Sequence, residues 1–141
     1  STYVAQVAEV IKVKGIPVVK KVYCAVDCGI LVNQSGARNQ VVGSIVDGIG
    51  TAMFGKLSFN EGAPDQSNFD IYRLIRMSEI PAVDVHFVKN TIEPTGLGEP
   101  ALPPISGAVG NALYSATGIR YRDQPFIDQQ VSVKSTSKSI M

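Results

Sequence analysis

The chain has 141 residues, 45% hydrophobic and 18% charged, with a formal net charge of +1. That length suits one domain able to bury a real core, and the composition is globular rather than disordered. The near-neutral charge gives no electrostatic case for nucleic acid or an anionic membrane, and no apolar run approaches the ~18 residues a membrane span needs.

No signal peptide is visible, and Ser1 leads at once into a strand-like pattern, which reads as a cut from a longer polypeptide or as a processed N-terminus. Residues 3–13 alternate and are rich in β-branched side chains, as a strand should be. Lys14-Gly15 is a turn signal, and Ile16 to Val26 is expected to return as the second strand of a hairpin. Pro17 falls near that strand's start, where a ladder tolerates it. The two cysteines, Cys24 and Cys28, lie four apart. On an extended strand that is roughly 13 Å, whereas a disulfide needs Cα atoms within about 7 Å. Two thiols are too few for an iron–sulfur cluster, and one histidine, His86, adds little towards a zinc site. Both cysteines read as small buried apolar residues.

Asn33 to Gly55 carries the longest helical pattern. Val41, Val42, Ile45, Val46, Ile49, Ala52 and Met53 share one face. Asn33 or Ser35 can cap the start and Gly55 the end. Gly43, Gly48 and Gly50 each weaken a helix by about 1 kcal/mol against alanine. Three such positions in one stretch imply close packing against another helix or a ligand. Lys56 to Phe59 and Gln66 to Ile71 are expected to flank a hairpin turn at Asn60-Glu61-Gly62. Tyr72 to Pro81 reads as an irregular connector. Ala82 to Lys89 alternates, with Val83, Val85 and Phe87 inward and His86 an ordinary strand histidine towards solvent.

Thr95 to Gly118 is the most informative stretch. Gly96 and Gly98 flank a turn with one carboxylate, Glu99, which Pro100 biases towards an extended backbone. Pro103 and Pro104 suit the first turn of a helix whose stripe is Ile105, Ala108, Val109, Ala112, Leu113 and Ala116, with Gly118 as the stop. A lone acid thus stands on a stiff loop just before a buried helix. Ile119 to Ile127 is expected to add a short edge strand, and residues 128–141 a loosely ordered tail. The expected fold is α+β, two main helices on a mostly antiparallel sheet. There is no phosphate-loop motif and no Ser-His-Asp set, so nucleophilic hydrolysis has little support.

In order, V-D-C-G, N-Q-V-V-G-S-I-V-D-G-I-G, Q-S-N-F-D-I-Y-R-L-I-R-M-S-E-I-P, G-L-G-E-P with L-P-P-I, and N-A-L-Y-S-A-T-G-I-R resemble molybdenum hydroxylases. This is the xanthine dehydrogenase and aldehyde oxidoreductase family, and in particular the molybdopterin-binding beta subunit of isoquinoline 1-oxidoreductase-type enzymes. The resemblance covers most of residues 1–127 and implies the C-terminal segment of a molybdopterin-binding domain. It implies that Glu99 is the active-site base on a metal-bound hydroxyl, and that Gln40, Gly43 and Gly98 lie at the cofactor. It further implies molybdopterin in its cytosine dinucleotide form with molybdenum, a small [2Fe-2S] subunit, and the remainder of the same large subunit. Substrates would be N-heteroaromatics or aldehydes, hydroxylated with oxygen from water.

The sequence departs from the family at Ser44, where a second glycine is frequent, and at Asp47, where a glutamine is. Asp47 is expected to face away from a phosphate-bearing cofactor. Gln40 and the Gly96–Glu99 turn are expected to meet. The family's subunit is several times longer, so this chain alone is expected to bind no molybdenum and oxidise nothing. The alternative is a non-catalytic binding or structural domain that keeps the fold; composition alone would equally suit an unrelated small α+β ligand-binding domain.

Overall fold

A computed structural model describes residues 1–129. Beyond residue 129, the tail expected over 128–141 lies outside the described residues. Strands β1 (Tyr3–Val13) and β2 (Ile16–Asp27) pair antiparallel across Lys14-Gly15. Both turn residues have positive φ (51° and 78°), the twist that suits a two-residue hairpin. A register shift between Glu9 and Val10 bends the ladder. Helix α1 (Gln34–Phe54) follows, then a short hairpin of β3 (Phe59–Asn60) and β4 (Ala63–Pro64), strand β5 (Ala82–Phe87), and helix α2 (Pro103–Thr117).

The fold is α+β with a mostly antiparallel sheet, as expected. The sheet order is β1-β2-β5, and β5 joins β2 in parallel, Lys21 opposite Ala82 through Val26 opposite Phe87. The sequence contains no cue for that parallel join, because β2 and β5 are separated by a helix and a long connector. Both strands consequently end at the same edge of the sheet, and the candidate site opens there.

Alternation along β2 puts Val22, Cys24 and Val26 on the inner face, all buried, against Val41, Ile45 and Ile49 of α1 and Ile105, Val109 and Leu113 of α2. Asn33 caps α1 by accepting the Gly36 N–H at 2.9 Å. Gly55 ends that helix with φ −61°, so the stop is not left-handed. Gly118 ends α2 with φ 75° and donates its N–H to the Tyr114 carbonyl at 2.7 Å, the expected left-handed stop.

The α1 glycines divide. A Cβ on Gly48 would overlap Ile105 Cγ2 and lie 3.0 Å from the Leu102 carbonyl at the start of α2, and one on Gly50 would lie 3.2 Å from Ile75. Gly48 admits close packing of α2, and Gly50 admits the connector at Ile75. A Cβ on Gly43 would meet nothing within 4 Å. Gly48→Ala is therefore expected to destabilise the protein by about 1–3 kcal/mol through overpacking. Gly43→Ala is expected to leave stability unchanged or raised through its better helix propensity. Thermal unfolding of the two variants side by side checks both.

Two expectations need correction. The second hairpin is shorter than the sequence pattern suggests: Gln66 to Ile71 is not a strand, and the Gln66 side chain instead accepts the Ser58 N–H at 2.7 Å. Ile119 to Ile127 forms no edge strand; Pro125 and Phe126 turn inward and are buried, and a helical turn begins at Phe126. Phe126 stacks edge-on against Tyr121, which ties this segment to the core rather than to a sheet edge.

Candidate cofactor and active site

The loops leaving β2 and β5 run together. Val88 N–H donates to Val26 O (2.8 Å), Ile30 N–H to Ile92 O (3.0 Å) and Thr95 N–H to Cys28 O (3.0 Å). Asp27 accepts from Gly29 N–H at 3.3 Å and from the Asn90 side-chain amide, a polar clasp where the strands end. Gly29 has φ 76°, and a Cβ there would overlap the Glu93 carbonyl oxygen and lie 2.9 Å from the Ile92 carbonyl oxygen. Only glycine lets the two loops close at that point.

This clasp brings the start of α1 and the Gly96–Glu99 turn side by side. The Gln40 side-chain amide donates to the Gly98 carbonyl across 58 residues of sequence. Between them lies an open groove of about 350 Å³, lined by Cys28, Ile30–Asn33, Gly36, Ala37 and Gln40 on one side and Pro94 and Gly96–Gly98 on the other. The expected meeting of Gln40 with the Gly96–Glu99 turn is therefore observed.

Gly36, Gln40 and Gly43 recur at four- and three-residue steps, so they share a side of α1, and all three are exposed. Gly43, Gly96 and Gly98 would each gain a Cβ with nothing within 4 Å. The first turn of α1 carries no acid, so its exposed N–H groups suit an anionic or strongly polar group. Glu99 follows directly on the groove-lining Gly98 and is exposed; among the described residues its carboxylate has no hydrogen bond or ion pair. Its carbonyl accepts the Leu102 N–H at 3.0 Å, which closes the turn. Asp47 lies seven residues beyond Gln40, two helical turns on, and is exposed. Helical spacing puts it on the Gln40–Gly43 side of α1.

Cys24 and Cys28 are free and buried, as the sequence suggests. Burial pushes the Cys24 thiol up, while the Gln6 amide beside it pulls the other way. His86 faces solvent on β5. Among the described residues no group of three or more His, Cys, Asp or Glu is arranged to hold a metal. No helix among them is long and apolar enough to cross a membrane.

Sequence reasoning does not find Thr2 and Gln6. The Thr2 hydroxyl donates to the Gly96 carbonyl at 2.6 Å, and the Gln6 amide donates to the Ala101 carbonyl at 2.8 Å. The one available signal is a polar glutamine between Val4, Ala8 and Val10 on the inward face of β1.

A family model described as a molybdopterin cofactor-binding domain matches residues 1–81. The chain belongs to that family. It is 34% identical over 111 residues to a membrane-bound aldehyde dehydrogenase (pyrroloquinoline-quinone) of Gluconacetobacter polyoxogenes, across 79% of this chain and 14% of that protein. It is 32% identical over 107 residues to the isoquinoline 1-oxidoreductase subunit beta of Brevundimonas diminuta, across 76% and 14%. The aldehyde oxidoreductase of Desulfovibrio gigas has the same fold, with a TM-score of 0.75 over 90% of this chain and 15% of that one at 24% identity.

The molybdopterin-binding domain described here thus spans about one seventh of the relatives it matches. Its groove fits such a cofactor on its own geometry: glycine backbone open to close approach, one amide side chain, and an acid-free helix start. A metal carried by an organic cofactor needs no cluster of protein ligands, which suits the donor set seen.

Proposed function

We propose that this chain is the C-terminal segment, residues 1–127, of the molybdopterin-binding domain of a molybdenum hydroxylase, with Glu99 as its general base. The observation that supports this best is the hydrogen-bonded meeting of Gln40 with the Gly96–Glu99 turn, which sets one unpaired carboxylate beside an open, glycine-lined groove. Gln40 and Gly98 would hold the cofactor, in its cytosine dinucleotide form, through amide and backbone groups, and Gly43, without a side chain, would let it approach α1 closely. Bound there, the cofactor supplies the two-electron oxidation of a substrate carbon.

The protein's own part is proton transfer and placement. The Glu99 carboxylate takes the proton from the water-derived oxygen that adds to an electron-poor carbon. It has no competing partner among the described residues, so it is free to accept one. Substrates are an aldehyde or an N-heteroaromatic ring, in line with the names of the relatives. The rest of the large subunit and a small [2Fe-2S] subunit complete the enzyme. Tyr3, Val7, Phe69 and Met77 are 66–86% exposed, more apolar surface than a small monomer leaves to water without reason, which supports a covering by that remainder.

A second reading, a non-catalytic domain that keeps the fold, draws on Gln40 using its amide donor within the chain. Elemental and nucleotide analysis of the natural full-length protein, with dye-linked oxidation of an aldehyde and of an N-heteroaromatic, separates the two. Stoichiometric molybdenum, released CMP and oxidation of either substrate are expected. Molybdenum-free protein without oxidation overturns the proposal. The 141-residue chain by itself is expected to hold no molybdenum and to oxidise neither substrate.

A further inference from the structure

Three side chains grip carbonyl oxygens on both sides of Glu99: Thr2 at Gly96, Gln40 at Gly98, and Gln6 at Ala101. Thr2 immediately precedes β1 and Gln6 lies in its first half. Residues 2, 4 and 6 share one side of an extended chain, so both donors reach the loop from the same inner face. β1 is paired with β2 along its whole length, which makes it a rigid platform rather than another loop.

Gln6 is also an awkward residue for its place. Its Oε1 is buried and has no hydrogen-bond partner among the described residues, while its Nε2 serves the Ala101 carbonyl and, weakly, the Cys24 sulfur at 3.7 Å. A buried oxygen without a partner is destabilising. Methionine would fill the same volume without that penalty, so packing alone does not account for an amide here.

We propose that Gln6, assisted by Thr2, is a positioning residue for Glu99. It fixes the Gly96–Ala101 loop on β1 so that the carboxylate has one placement beside the groove. This rests on the reading of Glu99 as the base. The amide N–H at Ala101 and the hydroxyl at Gly96 hold the loop two residues after and three residues before the acid, and the Leu102–Glu99 turn hydrogen bond links the second half to α2.

The test uses the full-length protein. Gln6→Met is expected to lower kcat by about 10- to 100-fold with KM little changed, since misplacing a reacting group by ~1 Å costs on that order. Molybdenum content and thermal midpoint should stay at wild-type values. Deuterium exchange in the peptide covering residues 95–102 should become several-fold faster. In a Glu99→Gln background, Gln6→Met should reduce the residual rate no further, because it acts through an acid already removed.

A Gln6→Met enzyme with wild-type kcat overturns the proposal, and so does an equal fractional loss in both backgrounds, which is what a merely structural role gives. Should Gln6→Met fail to fold, Thr2→Val removes the hydroxyl that donates to the Gly96 carbonyl and meets the Thr95 hydroxyl at 2.7 Å, both in the same loop, at a site that is only half-buried. It should slow kcat about 2- to 10-fold and speed exchange in the same peptide; wild-type behaviour in both overturns the proposal. The two readings fail separately. Turnover retained by Glu99→Gln removes the base. An inert Glu99→Gln beside a fully active Gln6→Met removes only the positioning role.

Discussion

Glu99→Gln in the full-length protein is expected to lower turnover by a factor on the order of 10²–10⁴, with folding and molybdenum content nearly intact. Glutamine keeps the size and planar shape of the side chain but cannot accept the proton. The loss exceeds the usual range where no water can take over the transfer. Stability should move by no more than about 0.5 kcal/mol, because the carboxylate is exposed and has no hydrogen bond or ion pair among the described residues. Turnover per molybdenum and thermal midpoint, measured on one preparation, check both halves. A cap or ion-pair role would give the reverse pattern, a lowered midpoint with activity retained per loaded molecule.

Gly29→Ala is expected to have the largest structural effect near the site. The left-handed backbone costs a residue with a Cβ about 1–2 kcal/mol. The new Cβ would also overlap the Glu93 carbonyl oxygen, a backbone atom with no rotamer to change. Relief requires parting the Cys28–Ile30 and Ile92–Thr95 segments, whose mutual hydrogen bonds align the Glu99 turn with α1. A penalty of roughly 2–4 kcal/mol on that clasp is expected. It should appear as a lower melting temperature and, since each ~1.4 kcal/mol is tenfold, as soluble protein largely emptied of molybdenum. Gly43→Ala is the matched control for folding, because its Cβ has open space within this chain. If Gly29→Ala melts and loads like wild type, the clasp does not set the site.

Local pattern makes the elements legible and leaves long-range pairing hidden. The 3.6-residue stripes mark both helices, because α1 and α2 each bury one face: Val41, Ile45 and Ile49 against Ile105, Val109 and Leu113. Asn33 and Gly118 mark the start of α1 and the end of α2 through capping chemistry that is local in sequence. The parallel join of β5 to β2 carries no local mark. It sets Lys21 opposite Ala82, 61 positions on (82 − 21), and no strand period registers a pairing over that distance. The short second hairpin and the inward turn at Phe126 escape for a related reason. Phe126 is drawn into the core beside Gly110 of α2, and the Gln66 side chain is taken up by the Ser58 N–H; both override strand propensity.

The site is legible in part. Motif order marks Gln40 and the Gly96–Glu99 turn, and glycine content marks α1 as closely approached. Periodicity cannot say which glycine meets protein and which stays open, because Gly48 and Gly43 differ only in what packs against them. Thr2 and Gln6 are illegible because their partners are backbone carbonyls more than ninety positions away. Helix geometry puts Asp47 on the Gln40 side of α1, a placement that its charge does not reveal.

Hydrogen exchange on the full-length protein, loaded with cofactor and prepared without it, tests the central claim most directly, because it reads where the cofactor lies without relying on activity. Within residues 1–129, loading is expected to slow exchange in two segments, 28–43 and 94–101, and to leave β3, β4 and the Tyr72–Pro81 connector unchanged. Equal exchange in those two segments with and without cofactor, or protection confined to other parts of this chain, would contradict a cofactor site between the start of α1 and the Glu99 turn.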